Sequence, residues 1–414
     1  MKILFNLAKV LFSVLVILCS VSSNYAEEGN KLNILWQKDF GCGENLGCSP
    51  GAANFDKTNN TLLIIGTSFR GVKNLKSDIE GKFWLWGIDQ EGNKVKDVLL
   101  KEAPKELKAS LVGGDAIIED LNILPNGEIY AVGQFDGFNP SFMTVEQEEK
   151  NVSTQLISEK IEESHILIKK MISLPNNNFL LIGKDTRDDG LIVKIDSEGN
   201  KLWKETYDLG EIEIFTDGVA VGDKGDFLIV GYSVKSEKPI SSESSDIWIL
   251  KCDAEGKIIS EELFPGYPFP TNEPQVCQLD SGDFVVLYYK SPLITAIDYK
   301  VKTFSPDLKE LWEKQIFKSE EKGPPSASFK IKAIPRGGFF VAGCICKNTP
   351  QLLLYEYDKK GNEIGSLIIE KGVFCLNSYL ACTKDKAFII SRAEEKGRNI
   401  LELVVKVIAV ELTK

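Results

Sequence analysis

Short runs of alternating apolar and polar residues recur along the chain, and each run ends at a turn-forming residue. The segment at 178–203 reads NFLLIGKD, a short loop, and then DGLIVKIDSEGNKLW. The phrase returns at 226–264 as DFLIVGYS, a longer loop, and SDIWILKCDAEGKIISEELF. Period-two alternation is typical of β-strands that bury one face, whereas a helix repeats its apolar residues every three or four positions. The pattern therefore predicts an all-β chain built from one repeated unit.

Each copy of the unit is preceded by a further apolar stretch and a turn, such as LNILPNGE before the second copy and VAVGDKGD before the fourth. The glycines of these turns supply the positive φ angles that tight hairpins require. The unit is therefore strand, turn, strand, loop, strand, turn, strand. Seven copies of its central phrase begin near residues 61, 128, 178, 226, 283, 338 and 387.

Four antiparallel strands per repeat predict a seven-bladed β-propeller. The runner-up fold, a pair of β-sandwiches, does not predict so regular a four-strand phrase. The last copy ends at KVIAVELTK and lacks a fourth strand, whereas NILWQKDF at 33–40 resembles KLWKETY at 201–207. We therefore expect the N-terminal strand to complete the last blade and to close the ring, which removes a free sheet edge. The acidic segment 145–163 could also be an interaction helix, but its position in the repeat favours the outer half of blade two.

The first 26 residues have two lysines in front of the apolar stretch Val10–Leu18, followed by small residues. This pattern predicts a secretory signal peptide at 1–26 and a single β-propeller domain at 27–414. A lipid anchor at Cys19 is not expected, because Leu18 stands where a lipobox has a small residue. No later run is long and apolar enough to span a bilayer. The sequence therefore predicts a secreted or periplasmic protein without a transmembrane segment.

Charge narrows the range of partners. The full chain carries a formal net charge of -11, and removal of the signal peptide takes away two lysines and no acids. Nucleic acid binding needs clusters of Lys and Arg that replace counterions, so a nucleic acid partner is not expected. An acidic chain is also repelled by anionic lipid surfaces.

Eight cysteines follow Cys19, and an even number in an exported chain favours disulfides. The shortest pairings are Cys42 with Cys48 and Cys375 with Cys382, although spacing alone does not determine the pairing. Metal binding is the rival hypothesis, and only the sequence Cys-Ile-Cys at 344–346 hints at it. Because the chain has one histidine and no second such motif, we expect no metal site.

The segment IDSEGNKLWKE, with Asp196, Gly199 and Trp203, resembles the blade motif of the PQQ-like, or quinoprotein-type, β-propellers. Trp312 matches the same motif in position. The resemblance implies that these tryptophans pack between neighbouring blades. A tryptophan on a half-buried outer strand also suggests packing on general grounds.

The quinone-dependent dehydrogenases of that superfamily hold their cofactor in the channel with a calcium site, a catalytic acid and often a disulfide of adjacent cysteines. Here Ile345 separates Cys344 from Cys346, and seven copies replace the eight blades usual for those enzymes. The resemblance therefore implies the non-catalytic branch, and we expect neither PQQ nor Ca²⁺ as a cofactor.

Polar residues at the beginnings of the inner strands, and on the loops around them, are the candidate binding residues, because both meet at the mouth of a propeller channel. Converging carboxylates there could also hold a cation or act as acid and base, although such residues more often solvate the channel. The inner-strand candidates are Asp115, His165, Asp217, Glu273 and Asn377, and the loop candidates are Arg70, Asp136, Asp185 and Arg187.

Hydrolase, metalloprotease and nucleotide-binding motifs do not occur in the sequence. The preferred hypothesis is an exported scaffold whose loop-rich face binds a protein, peptide or glycan. The alternative is a quinoprotein-like or lyase/hydrolase-type enzyme that uses the channel carboxylates. A third alternative is a subunit of a larger exported complex.

Overall fold

The structure is a computed structural model of the chain. The residues that it describes fall in fifteen segments, and the predicted signal peptide at 1–26 lies outside them. The segments are 32–42, 46–70, 82–99, 117–134, 140–146, 151–156, 166–209, 212–234, 245–266, 273–290, 297–319, 326–346, 351–369, 378–394 and 403–413.

The described residues form 28 strands and one short 3₁₀ turn at Pro175–Asn177. The N-terminal strand and the first three blades comprise β1 (Asn33–Phe40), β2 (Leu46–Asp56), β3 (Thr61–Arg70), β4 (Lys82–Ile88), β5 (Lys94–Leu99), β6 (Ile117–Ile123), β7 (Ile129–Gln134), β8 (Pro140–Glu146), β9 (Asn151–Leu156), β10 (Leu167–Ser173), β11 (Phe179–Lys184), β12 (Gly190–Ile195) and β13 (Lys201–Tyr207).

The remaining strands form blades four to seven. They are β14 (Ile212–Val221), β15 (Asp226–Val234), β16 (Ser245–Cys252), β17 (Ile258–Gly266), β18 (Gln275–Gln278), β19 (Phe284–Tyr289), β20 (Ile297–Phe304), β21 (Glu310–Ser319), β22 (Ser326–Ala333), β23 (Phe339–Cys346), β24 (Gln351–Tyr357), β25 (Glu363–Ile369), β26 (Tyr379–Cys382), β27 (Lys386–Glu394) and β28 (Leu403–Glu411).

The strands form seven four-stranded antiparallel sheets, which confirms the predicted β-propeller. Six sheets follow the chain, from β2-β3-β4-β5 to β22-β23-β24-β25. The seventh has the order β1-β28-β27-β26, so the N-terminal strand is the outer strand of the last blade. Asn33 of β1 lies opposite Glu411 of β28, and Phe40 lies opposite Val405. The predicted closure is thus confirmed, and β9 is the outer strand predicted for blade two.

The core consists of seven hydrophobic clusters, one between each pair of neighbouring blades. The inner strand of each blade also contacts the inner strand of the next, and β2 contacts β26 to close the ring. The second strands, such as Phe179–Lys184 and Phe284–Tyr289, are buried along almost their whole length. They are apolar without alternation because both of their faces pack against other blades.

The Asp-x-x-Gly turns join the third and fourth strands of several blades. Asp196 accepts hydrogen bonds at Oδ1 from the backbone N–H of Glu198 and of Asn200, at 2.9 and 2.8 Å. Gly199 has a φ of +75°, a left-handed conformation that favours glycine. These acids therefore stabilise turns.

The tryptophan of each motif packs against the glycine of the corresponding turn in the next blade. A Cβ atom added to Gly256 would lie 3.1 Å from the Trp203 ring, and one added to Gly92 would lie 2.9 Å from the Trp36 ring. Trp36 also donates its indole N–H to the Gln90 carbonyl at 2.7 Å. Trp312 meets Gly361 in the same way. The predicted packing between blades is confirmed.

One of the two predicted local disulfides forms. Cys42 and Cys48 are bonded, whereas Cys382 is a free thiol, so the predicted pairing with Cys375 is wrong. Cys252, Cys277 and Cys344 are also free and buried. They pack in the clusters between blades as small apolar side chains, which explains why an even count of cysteines did not mean four disulfides.

No helix among the described residues has the length and apolar character needed to cross a membrane.

Candidate functional site

A channel of about 760 Å³ runs along the axis of the ring and is lined by the inner strands of the blades. Residues at equivalent positions of the inner strands form its central level. Each of them lies opposite the second-strand residue that directly precedes a glycine. In blades one to four and blade six these positions are Ala52, Asp120, Lys170, Asp217 and Lys330. The channel is therefore lined by both acids and lysines.

A β-bulge next to this level brings further polar side chains into the channel. The register shifts at Glu119 in β6, at Lys169 in β10 and at Thr216 in β14. A bulge places two residues of one strand opposite a single residue of the partner strand, and it changes the direction in which the next side chain projects. As a result both Glu119 and Asp120, and both Lys169 and Lys170, line the channel.

Lys170 links the inner strands of blades two, three and four. Its Nζ lies 3.3 Å from Asp120 and 3.7 Å from Asp217. Burial alone would lower the pKa of Lys170, but the two carboxylates outweigh burial and hold that pKa above the ordinary value. Lys170 therefore remains charged and neutralises part of the charge of two carboxylates.

The same two acids also bind the backbone of the following blade. Asp120 accepts a hydrogen bond from the Met171 N–H at 3.2 Å, and Asp217 accepts one from the Val276 N–H at 3.0 Å. Asn122 donates to the Met171 carbonyl at 2.7 Å. These side chains hold neighbouring inner strands in register.

A second ion pair lies one residue away from the central level. Lys169 of blade three lies 3.1 Å from Glu273, which precedes the inner strand of blade five. Burial would lower the pKa of Lys169, but Glu273 and Glu119 outweigh it and raise that pKa. Burial raises the pKa of Glu119, although the positive charge of Lys169 acts to lower it. Glu119 forms no hydrogen bond or ion pair with the described residues.

The wall formed by blades six and seven contrasts with this network. Lys330 and Lys332 of β22 and Ser378 and Tyr379 of blade seven line it. Burial lowers the pKa of both lysines more than the nearby channel acids raise it. The Ser378 hydroxyl is buried without a hydrogen-bond partner in the described part of the chain. This wall therefore presents donors whose acceptors are not supplied by the described residues.

A separate acidic group lies between blades three and four. Carboxylate oxygens of Asp189, Asp208 and Glu213 lie within 4.8 Å of one another. Arg187 partly neutralises the group, because its guanidinium lies 2.8 Å from Asp189 and 3.1 Å from Asp185. Burial raises the pKa of Glu213 despite hydrogen bonds from Ser233 and from the Leu209 backbone.

The structure places four of the nine candidate binding residues and brings two of them into the channel. Asp217 lies in the middle of β14, where it contacts the next blade, and not at the beginning of an inner strand as predicted. Glu273 pairs with Lys169 at the channel wall. On the loop between β11 and β12, Arg187 is exposed, and the buried Asp185 accepts hydrogen bonds from the backbone N–H of Arg187 and of Asp189. The others lie outside the described residues or, for Arg70, have no described side chain: Arg70, Asp115, Asp136, His165 and Asn377.

A search for polar residues at the beginnings of strands does not find the channel lysines. Lys170, Lys330 and Lys332 lie inside the inner strands, several residues from the mouth. A signal was present, because charged residues interrupt strands that are otherwise expected to be buried on both faces. The spacing KIK at 330–332 places both lysines on one face of a strand.

Comparisons with known proteins identify the fold and no family. No family model and no curated protein matches the chain. Among solved structures, polysaccharide lyase Uly1 is 11% identical over 92% of this chain and 100% of its own, with a TM-score of 0.55.

Two further structures are similar at the same level. The WD40 domain of Toxoplasma gondii coronin is 8% identical over 94% of this chain and 90% of its own, with a TM-score of 0.51. A protein of unknown function from Dyadobacter fermentans DSM 18053 is 11% identical over 92% of this chain and 99% of its own, with a TM-score of 0.51. At such identities the similarity shows the propeller fold alone.

Proposed function

We propose that the chain is an exported β-propeller that acts as a binding scaffold, and that its loop-rich face engages a protein, peptide or glycan. The observation that carries the proposal is the use of the channel acids. Asp120 and Asp217 each bind Lys170 and a backbone N–H of the next blade, and Glu273 binds Lys169. These contacts give a rigid ring, on which variable loops can be displayed.

The same contacts weigh against the alternative of an enzyme that uses channel carboxylates. A general acid or base must have its carboxyl group available to the substrate. Asp217 and Glu273 are the two candidate acids that the structure places in the channel, and protein donors already engage both carboxylates. We therefore favour binding over catalysis.

We infer the binding face from the lengths of the strand connections. Turns between first and second strands, such as 222–225, lie at one end of the ring, because successive strands are antiparallel. The connections between second and third strands lie at the other end, together with the links between blades. These connections are longer in several blades, for example residues 235–244 between β15 and β16. Arg187 belongs to this loop-rich face.

A relationship to the PQQ-like propellers is also proposed. It is supported by the packing of Trp203 against Gly256 and of Trp312 against Gly361 in the next blade. Export rests on the signal-like segment at 1–26.

Capture of partners from the native envelope and secreted fractions tests the scaffold proposal. Variants of the loop-rich face, Arg70→Gln combined with Arg187→Gln, should lose captured partners. The matched control is Lys224→Gln, in an exposed turn at the opposite end of the ring, and it should keep them. Capture of the same partners by both variants, or turnover of a sugar or alcohol that Asp217→Asn abolishes, would contradict the proposal.

A further inference from the structure

The wall of the channel formed by blades six and seven has hydrogen-bond donors without acceptors among the described residues. Within that part of the chain, Lys330 and Lys332 form no ion pair or hydrogen bond, and neither does the hydroxyl of Tyr379. Ser378 is 1% exposed, and its hydroxyl has no partner among the same residues. These four donors on two adjacent blades would therefore be satisfied by an acceptor that the described residues do not supply.

The spacing of the two lysines indicates which kind of acceptor this site would bind. Lys330 and Lys332 are two residues apart on β22, so they project from the same face with Cα atoms about 7 Å apart. Two flexible ammonium groups at this spacing can both reach one compact, doubly charged anion. Ser378 and Tyr379 on the neighbouring blade line the same channel and add two hydroxyl donors to this wall.

The electrostatics of the rest of the channel leave these lysines available. Their nearest charged neighbours include Asp120, Asp217, Glu119 and Glu273. Asp120 and Asp217 are held by Lys170, and Glu273 is held by Lys169. Glu119 forms no hydrogen bond or ion pair with the described residues, and it offsets part of the charge of Lys330. Unpaired charges in an enclosed site are unfavourable, so an anion that pairs with both lysines recovers part of that free energy.

We propose that the channel binds a small dianion, such as a phosphate monoester or a dicarboxylate, between the lysines of β22 and the hydroxyls of blade seven. The channel volume of about 760 Å³ falls within the range of small-molecule sites. This site is distinct from the loop-rich face, so it goes beyond the scaffold function, and either can fail without the other.

Isothermal titration of the purified protein with inorganic phosphate, succinate and acetate at constant ionic strength and pH 7 tests the proposal. We expect saturable binding with one site per chain for phosphate, for succinate or for both, and at least tenfold weaker binding of the monoanion acetate. Binding of phosphate alone assigns a phosphate ligand, and binding of succinate alone assigns a dicarboxylate.

Variants then locate the site. Lys330→Met and Lys332→Met should each weaken binding of the dianion by about tenfold or more, because each removes a charge-assisted hydrogen bond. Lys224→Met, in an exposed turn, should bind as the wild type does. Both channel variants should remain folded, since neither lysine loses an ion pair or hydrogen bond with the residues that the structure describes, and circular dichroism checks this.

Two results would overturn the proposal. One is the absence of saturable binding for both phosphate and succinate. The other is binding that the folded Lys330→Met and Lys332→Met variants retain at full affinity.

Discussion

Replacing Lys170 with methionine removes the only ammonium group within ion-pair distance of both Asp120 and Asp217 among the described residues. The Nζ atom lies 3.3 and 3.7 Å from the two carboxylates. At an effective dielectric constant of about 20, each charge pair is worth roughly 5 kcal/mol before the cost of desolvation. Breaking a buried ion pair on one side typically costs about 3–5 kcal/mol, because the remaining charge is left without a partner. We expect Lys170→Met to lower the free energy of unfolding by about that amount.

The expected change in melting temperature follows from the size of the chain. With about 2 cal/mol/K per residue, the unfolding entropy of 414 residues is roughly 0.8 kcal/mol/K. A loss of about 4 kcal/mol therefore lowers the melting temperature by about 5 °C. Differential scanning calorimetry and urea unfolding at pH 7 measure this change, and Lys224→Met is the control for the loss of an exposed lysine.

The pH dependence of the stability loss distinguishes the loss of an ion pair from the loss of packing. The raised pKa of Lys170 means that the wild-type pair contributes stability below the ordinary lysine pKa and loses it only as the pH rises through the raised value. In Lys170→Met two carboxylates lose this ammonium group, so the stability deficit of the variant should persist from pH 7 up to the ordinary lysine pKa. The second variant Lys170→Met/Asp217→Asn should recover part of the loss at pH 7. A melting temperature within 1 °C of the wild type at pH 7, or a deficit that disappears between pH 7 and pH 9, would refute this account of the channel.

Four further changes test other features. Gly361→Ala should cost about 2–3 kcal/mol of unfolding free energy, because φ is +72° and the new Cβ would lie 2.5 Å from Trp312. Gly127→Ala, with φ of +87° and no atom within 4 Å of its Cβ, should cost only about 1 kcal/mol in thermal unfolding. Glu313→Gln should lower the free energy of unfolding by about 2 kcal/mol at pH 7 and leave it unchanged near pH 2. Contacts with lysines and a tyrosine outweigh burial and lower the pKa of Glu313 to about 2. Equal unfolding curves of the variant and the wild type at pH 7 would contradict this. Glu213→Gln should raise the urea midpoint at pH 8 and less so at pH 4, because burial raises the pKa of Glu213 and the carboxylate form is therefore the costly one.

The fold could be predicted because the repeat encodes it several times over. The alternating runs, the glycine turns and the tryptophans recur together, so an error in one copy is corrected by the others. The resemblance between NILWQKDF and KLWKETY predicted ring closure, and Trp36 does pack against Gly92 as Trp203 packs against Gly256.

The channel could not be predicted from the same pattern. A period of two places alternate residues on one face, but the bulges at Glu119 and Lys169 bring two successive residues into the channel. Sequence periodicity also does not predict contacts between blades. Lys170 contacts Asp217 of the next blade because the ring brings their inner strands together. For this reason the sequence nominated Asp217 and Glu273 as binding residues, whereas the structure shows both in contacts between blades.

The pairing of β1 with β28 has a consequence for the order in which the protein is made. Asn33–Phe40 leaves the ribosome, and on the proposed route the membrane, long before its partner Leu403–Glu411. Until then β1 has an unpaired edge, which can pair wrongly with another chain. Blades one to six can form in sequence as they emerge, but the seventh waits for the C-terminal strands. A protein truncated before β28 would therefore keep six complete sheets and an open ring, and aggregation through β1 would be its expected fate.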